Sequence, residues 1–581
     1  MPAGEIQVQG AVHSLDQGYL SFFVKAAMIG ALILVLALLY LFVQFRGLEN
    51  SSAMDQAQIA RNLAAGRGFT TDYIRPVALK IVQRQAGPDA TKVDLSGFPD
   101  FTQSPLNPWI NSFALRMIKG QWKMPSSDII YSGDRMIAAV SILFFILSVG
   151  VWYVVLAKLF DNQLALFACA AVLLTDLLWQ FSLSGLPQML VLFFFALASL
   201  ATLLAIEAFQ KEQFGMMVGW LIAAGISLGF MTLAHGLAFW IFLGWFIFAA
   251  VYFRPRGLAA LAALAAYFLV VAPWMVRNYQ VCGNPCGLSV YGAFYNAKPE
   301  ETFFRKMEVN PKESGATLKG KARSNIIMQA QQISAFLGLN AAAGGFFLAL
   351  FHPFRSKKTF VFKWCVLLMW TSAVLGMAFY QPFGEVSENQ FHVLFIPLFV
   401  GYGMAFLFVL WSRLELGSPL LRVAFISALL LVCACPMLAR LLASDNTRIQ
   451  WPPYVPPLIA VMGDWFNENE VICSDMPWAV AWYAQRKSLL LPESVSSFNE
   501  IHDYGQTVQS ICGLYLTPIT GNQRLFADIY KGMNKEWALL ITRPPQLKGF
   551  PFTAYTPLPI EGECIIFADR DRWSEVRKPQ P

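Results

Sequence analysis

Between apolar runs at Phe22–Phe45 and Met136–Leu159 the candidate carboxylates Asp55, Asp72 and Asp100 stand in one loop with the cations Arg61, Arg67, Arg75 and Lys80. In Ser51-Ser-Ala-Met-Asp55-Gln-Ala-Gln58-Ile-Ala-Arg61-Asn62, alanines recur at helical spacing while Asp55, Gln58 and Asn62 fall on the other face. Two readings of Asp55 follow. Ser52-Ala-Met-Asp55 has the spacing of a capping box, in which the acid only closes the helix start, and otherwise the carboxylate is free for a site. The cations suit a solvated or headgroup-binding face. Arg277, leaving a later apolar run, offers a planar donor to a lipid headgroup or serves as an interfacial anchor.

The elements that would hold these groups are membrane helices. Of 581 residues, 56% are hydrophobic and 14% charged, with mean hydropathy +0.50, which excludes a disordered chain. Nine cysteines are too sparse for a disulfide scaffold, and the net charge of +7 is spread over loops rather than gathered into a nucleic-acid-binding stripe. Further apolar runs near Leu164–Phe181, Pro187–Ile206, Phe214–Leu233, Leu237–Phe253, Leu258–Val276, Ser334–Phe351, Val361–Tyr380, Phe391–Trp411 and Leu420–Leu441 give about eleven predicted spans. With a cytoplasmic N-terminus, the short inner loops carry Lys158, Lys211, Arg254, Arg256, Arg355, Lys357, Lys358, Arg413 and Arg422, and the C-terminus falls outside.

That topology predicts a cytoplasmic tail at 1–21, a transmembrane domain at 22–441 with outer loops 46–135 and 277–333, and an extracytoplasmic domain at 442–581. In the first outer loop the Asp55 helix is expected to lie on the membrane surface, ending at Gly66, with a second surface helix at Pro108–Lys119 that puts Trp109, Ile110, Phe113 and Met117 in the interface. Past a proline-rich linker, Trp451–Pro457, β-prone runs at Glu470–Cys473, Ser488–Leu491, Ile511–Leu516, Trp537–Ile541 and Glu563–Ala568 alternate with helical stretches at Pro477–Gln485 and Gln523–Met533, which predicts a small α/β domain. Cys282-Gly-Asn-Pro-Cys286 is compatible with a local disulfide or with two free thiols, and no zinc-ligand spacing occurs.

Several of these motifs together resemble the C-type membrane glycosyltransferases. They are the Asp55 helix, its Gly66-Arg-Gly-Phe69 exit, Ser104-Pro-Leu-Asn-Pro-Trp109, Pro273-Trp-Met-Val-Arg277-Asn-Tyr279 and Phe391-His-Val-Leu-Phe-Ile-Pro397. Asp475-Met-Pro-Trp478, Trp482-Tyr483 and Arg486 are similar to the outer domain of the bacterial branch related to protein O-mannosyltransferases and aminoarabinose transferases. The resemblance runs from about Phe22 to Leu516. It implies transfer of a sugar from a polyprenyl-phosphate donor to an extracytoplasmic glycan, lipid or protein acceptor, with inversion, in a bacterial inner membrane. It implies Asp55 as the base, Asp100 or Asp72 as a second acid, and Arg277, His235, Arg61, Arg75 and Lys80 as candidates for the donor phosphate. A divalent metal is a candidate cofactor.

The chain departs from the family where Gln56 follows Asp55, where Thr102-Gln103-Ser104 precedes the second surface helix without an acid, and where Leu233-Ala-His235 carries histidine in place of a cation. Two other functions compete with catalysis. A transporter or flippase would keep ionisable groups near the bilayer midplane, whereas here they gather in the long loops. A scaffold that kept the fold and lost the chemistry would tolerate Gln56 and Thr102.

Overall fold

The computed structural model describes residues 19–87, 92–125, 128, 130–255, 257–295, 303–307, 315–380, 384–414, 418–442, 456–503, 507–521, 535–538, 540, 550–557 and 565–575. The chain divides into two compact units, Met1–Arg46 and Gly47–Pro581. The first unit's described part is one apolar helix, Tyr19–Leu39, continued by a π-helical turn at Tyr40–Gln44.

In the second unit the described helices long and apolar enough to cross a membrane are Ser132–Leu159, Gln188–Gln210, Phe214–Ala234, Leu258–Cys282, Lys357–Ala378, His392–Arg413 and Pro419–Leu442. With the first unit's helix, the described residues contain 8 helices long and apolar enough to cross a membrane, or up to 9 if a bent pair forms one span. Three expected spans account for the difference. Leu164–Phe181 is a pair, Asn162–Leu173 and Asp176–Leu183, bent by 58°. The Thr175 hydroxyl donates back to Ala171 O at 2.9 Å, and the new helix starts on Asp176, so polar groups rather than lipid-facing carbons sit at the break. Leu237–Phe253 becomes Ala238–Tyr252, only 15 residues long. Ser334–Phe351 is split into Ile333–Phe336 and Ala341–Ala349 by Gly338 and Leu339, both at positive φ, with Asn340 capping the second piece.

Small residues set the closest helix contacts. A methyl group on Gly403 would stand 1.9 Å from Ala342 O, and one on Gly225 2.4 Å from Ala263 O. Such approaches let backbones meet where lipid gives no hydrophobic drive between helices.

A 6-stranded sheet in the order β1-β3-β2-β4-β6-β5 lies beside the helices. Its strands are β1 (Tyr73–Ile74), β2 (Val471–Ser474), β3 (Lys487–Leu490), β4 (Ile511–Leu516), β5 (Ala554–Pro557) and β6 (Ile565–Ala568). The first four are parallel and β6 and β5 antiparallel. Four strands fall where the alternating runs predict them. The expected strand at Trp537–Ile541 is absent among its described residues, where Trp537 is in a turn and Ala538 and Leu540 are helical, with Trp537 Nε1 donating to Pro492 O at 3.1 Å. The Gln523–Met533 helix and residues 451–455 of the linker fall outside the described residues. β1 comes from the first long loop, and Ile74, Val77 and Phe98 of that loop share one core with Val471, Leu489 and Leu514. The first loop and the C-terminal segment are therefore knit into one body next to Asp55. Cys282 and Cys286 both carry free thiols.

Candidate functional site

The Asp55 helix runs over Ser51–Ala64, and every residue from Ser52 to Asn62 is buried. This corrects the expected surface helix: the alanine face is covered by protein, and so is the polar face. The cap is also reassigned. Asn50, not the Ser52/Asp55 pair, closes the helix start by accepting the Ser52 N–H at 3.0 Å. Asp55 is thereby left free for other partners, while Gly66 at φ 80 ends the helix as expected.

The Asp55 carboxylate is 1% exposed. Its Oδ2 accepts from Arg75 Nη2 at 2.5 Å and Gln103 Nε2 at 2.7 Å, and its Oδ1 from Gln58 Nε2 at 3.0 Å. Gln58 is fixed in turn, donating to Thr71 Oγ1 at 2.7 Å and accepting the Asp72 N–H at 2.9 Å. Arg75 sits just after β1 and at the cap of helix Pro76–Ala86, so the sheet edge and the helix start place it together. Its second carboxylate is Asp100, 3.6 Å from Nη1. Asp100 Oδ1 accepts the N–H groups of Thr102 at 3.0 Å and Gln103 at 2.8 Å. Burial and the neighbouring Asp55 charge push Asp100 up to about 6. For Arg75, burial works to lower the pKa but Asp55, Tyr73 and Asp100 outweigh it, and the guanidinium titrates above its ordinary value. The Tyr73 ring lies 3.9 Å from the guanidinium carbon and Phe304 5.4 Å, while the buried Nε has no hydrogen-bond partner among the described residues.

Amides surround this cluster where the sequence departs from the family. Gln56 Nε2 donates to Gln103 Oε1 at 3.1 Å, Asn107 Nδ2 donates to Gln56 Oε1 at 2.7 Å, and Asn111 Nδ2 to Asn107 Oδ1 at 3.3 Å. The last two sit on the buried side of helix Leu106–Met117, whose Trp109, Phe113 and Met117 are exposed as the interfacial reading requires.

Glu388 also borders the site, within reach of Ser52 and of the Asp55 charge. It precedes the His392–Arg413 span, in a loop fixed by Gln188 Nε2 donating to Ser387 O at 3.2 Å and Glu388 O at 2.6 Å. Desolvation and the Asp55 charge raise its pKa, against the Ser52 hydroxyl and Arg75. His235 Nε2 stands 3.8 Å from its Oε1, while His235 Nδ1 accepts the Leu237 N–H at 3.1 Å. Burial pushes this imidazole down to about 4, so it is neutral near pH 7.

The remaining candidates have other partners. Arg277 donates to Asp100 O and, at 3.2 Å, to Phe69 O, with its guanidinium carbon 4.7 Å from the Trp274 ring. It binds the backbone of the loop carrying Asp100, while Arg75 meets the Asp100 side chain. Asp72 lies 3.8 Å from the half-exposed Arg67. Arg61 donates 2.6 Å bonds to both Ala481 O and Trp482 O. Those carbonyls belong to a π-helical turn, Val480–Ala484, that Asp134 grips from the other side, accepting from Trp482 Nε1 at 2.7 Å and Tyr483 Oη at 2.9 Å. Lys80 pairs with Glu500 at 3.4 Å, away from Asp55. Thus Asp55, Asp100 and Arg75 are brought together, Arg277 and His235 border them, and Lys80 does not join them. The sequence offered no reason to prefer Gln58 or Gln103, since neutral amides read as ordinary polar surface, nor Glu388, an acid in a loop far along the chain.

A divalent metal does not fit these groups. Both Asp55 oxygens and Asp100 Oδ1 accept N–H donors, and Arg75 stands against the remaining carboxylate oxygen. Among the described residues no three His, Cys, Asp or Glu side chains gather as metal ligands.

No protein-family model matches the sequence, and no curated protein matches it. Solved structures do. ArnT from Cupriavidus metallidurans bound to undecaprenyl phosphate superposes with TM-score 0.55 at 12% identity, over 96% of this chain and 100% of that one. The archaeal oligosaccharyltransferase AglB from Archaeoglobus fulgidus, in complex with an inhibitory peptide and a dolichol-phosphate, gives 0.51 at 14% identity over 94% of this chain and 74% of that one. The A. fulgidus enzyme with Zn and sulfate gives 0.51 at 13%, over 93% and 72%. A likeness this complete in length at such low identity is a likeness of fold, and the fold of this multi-pass membrane chain is that of the C-type membrane glycosyltransferases.

Proposed function

We propose that the protein is a glycosyltransferase of the cell envelope, moving a sugar from a polyprenyl-phosphate donor to a nucleophilic acceptor on the outer face of the bacterial inner membrane. The observation that carries this reading is Asp55: a buried carboxylate just after the first span, paired with Arg75 at 2.5 Å, in a fold whose solved examples bind polyprenyl phosphates. The acceptor hydroxyl attacks the anomeric carbon and its proton passes to Asp55. The new C–O bond forms as the bond to the phosphate oxygen breaks, inverting the centre, and the electron pair leaves on the polyprenyl phosphate. Arg75, with its unpartnered Nε–H, and Arg277, bonded to the Asp100 backbone carbonyl, supply the positive field for that departing charge. The C-terminal segment, whose 480–484 turn bonds directly to the Asp55 helix through Arg61, helps shape the acceptor side.

The test is mass spectrometry of lipids that co-purify with the detergent-extracted chain, followed by transfer assays with the donor class found. Polyprenyl phosphate, free or carrying one sugar, and transfer that requires Asp55, are expected. Bulk phospholipid alone, with no transfer from any polyprenyl-phosphate sugar, would overturn the reading in favour of a scaffold.

A further inference from the structure

We infer that Arg75 takes the place of a divalent cation at this centre, making the protein a transferase whose carboxylates are bridged by its own guanidinium and which needs no metal. The inference rests on the transferase reading for its consequence, and on the geometry for its content.

A dication bound between acidic side chains does two things: it neutralises their mutual repulsion and presents positive charge to a departing oxygen. Arg75 is placed for both. Its Nη2 lies 2.5 Å from Asp55 Oδ2 and its Nη1 3.6 Å from Asp100 Oδ2, so the two guanidinium arms reach the two carboxylates. The side chain is 6% exposed, close to the 1% of both acids, so the three groups share one desolvated compartment where an uncompensated charge would be very costly. Two carboxylates and one guanidinium leave one net negative charge, and protonation of Asp100 near pH 6 removes even that. A dication added here would be repelled by the guanidinium and would have to strip Asp55 of Gln58 and Gln103 as well as Arg75.

The neighbouring residues agree. Gln103 donates an N–H to Asp55 and accepts one from Gln56, and Asn107 donates to Gln56 in turn. An amide supplies a carbonyl to a metal only with its oxygen turned inward, yet Gln103 turns its Nε2 to Asp55 and its Oε1 to Gln56. Reversing it would set the carbonyl against the Asp55 carboxylate. Arg75 also sits against two aromatic faces, Tyr73 and Phe304, which favour a flat delocalised cation and provide no metal ligand in that direction. The absence of acids at 56 and 103 is thus matched by a built-in cation, and the site is complete in a different way rather than degenerate.

The experiment uses the purified full chain. Elemental analysis should find well below one Mn, Zn, Mg or Ca per chain after gel filtration, the melting temperature should not move with EDTA or with added Mn2+, and transfer should be unaffected by EDTA. Arg75→Ala should lower transfer on the order of 100-fold or more, with partial recovery in ethylguanidinium and none in Mn2+ or Zn2+. Arg75→Lys, which keeps charge in the compartment, serves if the alanine variant does not fold, and should retain EDTA-insensitive residual transfer. A stoichiometric retained metal, or transfer lost in EDTA and restored by a dication, would overturn the inference. Absence of transfer in the wild-type chain would instead defeat the transferase reading, while metal content and melting still decide the question of the cation.

Discussion

Replacing Asp55 by Asn separates the base from the structural pair, and the structure sets the size of each loss. The amide keeps one oxygen, and placing it at the Oδ2 position preserves the donors Arg75 and Gln103 at 2.5 and 2.7 Å. The new NH2 then faces Gln58 Nε2, donor against donor at about the original 3.0 Å. Gln58 does not simply flip, because its Oε1 holds the Asp72 N–H and its Nε2 also serves Thr71. One buried donor clash costs about 1–3 kcal/mol. Arg75 keeps Asp100 as a counter-charge, so the loss stays below the ~3–5 kcal/mol of a fully orphaned buried ion. A fall in melting temperature of several degrees is expected, with the chain still folded. Removing the base lowers transfer by a further factor of about 10^2–10^4 in kcat. The assay is transfer from polyprenyl-phosphate sugar at equal folded fraction, calibrated by tryptophan-monitored melting in the same detergent. A folded Asp55→Asn protein with wild-type turnover would refute the reasoning, and a variant that is inactive only because it is unfolded would show in the melting curve.

Asp100 is pushed up to about 6 from 3.8, so between those values the folded state binds more protons than the unfolded one, and this group's contribution to stability falls as pH rises through that window. Transfer should show an acid limb near pH 6 that disappears in Asp100→Asn, and an unchanged limb would assign it to another group. Arg61→Ala removes both 2.6 Å bonds to the 480–484 turn and leaves Asp134 as its main anchor. It should cost about 2–4 kcal/mol and expose that turn to protease, so unaltered digestion would count against the docking. Gly287, at φ +64, would carry a Cβ 2.1 Å from Phe101 O. Gly287→Ala should destabilise by about 1–3 kcal/mol and shift the Asp100 loop, with transfer falling more than stability alone predicts.

How much of this was legible in the residues depends on whether neighbours in sequence or in space decide the outcome. Ile511–Leu516 falls as expected because a short, uncharged and largely apolar run, buried at all six positions, suits a central strand. The eighteen-residue run at Leu164–Phe181 misleads because mean hydropathy does not register one threonine hydroxyl bonding back to Ala171, and the break at Thr175 takes its meaning from Asn340 of a distant helix, 2.8 Å away. Tyr73–Ile74 is too short to signal a strand and is one only because β3 is beside it. The Asp55 helix reads as amphipathic because half its face is polar, but that polarity meets Gln103, Arg75 and Trp482 rather than water or headgroups.

The site shows the same division. Asp55, Arg75 and Asp100 were each singled out by type and position, yet their union is carried by elements forty-five residues apart in one loop, and no spacing rule joins them. Arg75 is on the sheet edge, and that sheet is otherwise built from residues beyond 470. It follows that the C-terminal segment is part of what positions the cation, not an appendage to a finished membrane enzyme. Ser488 N–H bonds to Asp72 O at 2.7 Å and Tyr73 and Ile74 pair with Ser488 and Leu489, so the stretch leading into Arg75 is pinned to β3, while Arg305 bonds to Leu491 O at 2.7 Å where β3 exits. A variant that undocks the sheet should therefore lose the Asp55–Arg75 pair before it loses the helices.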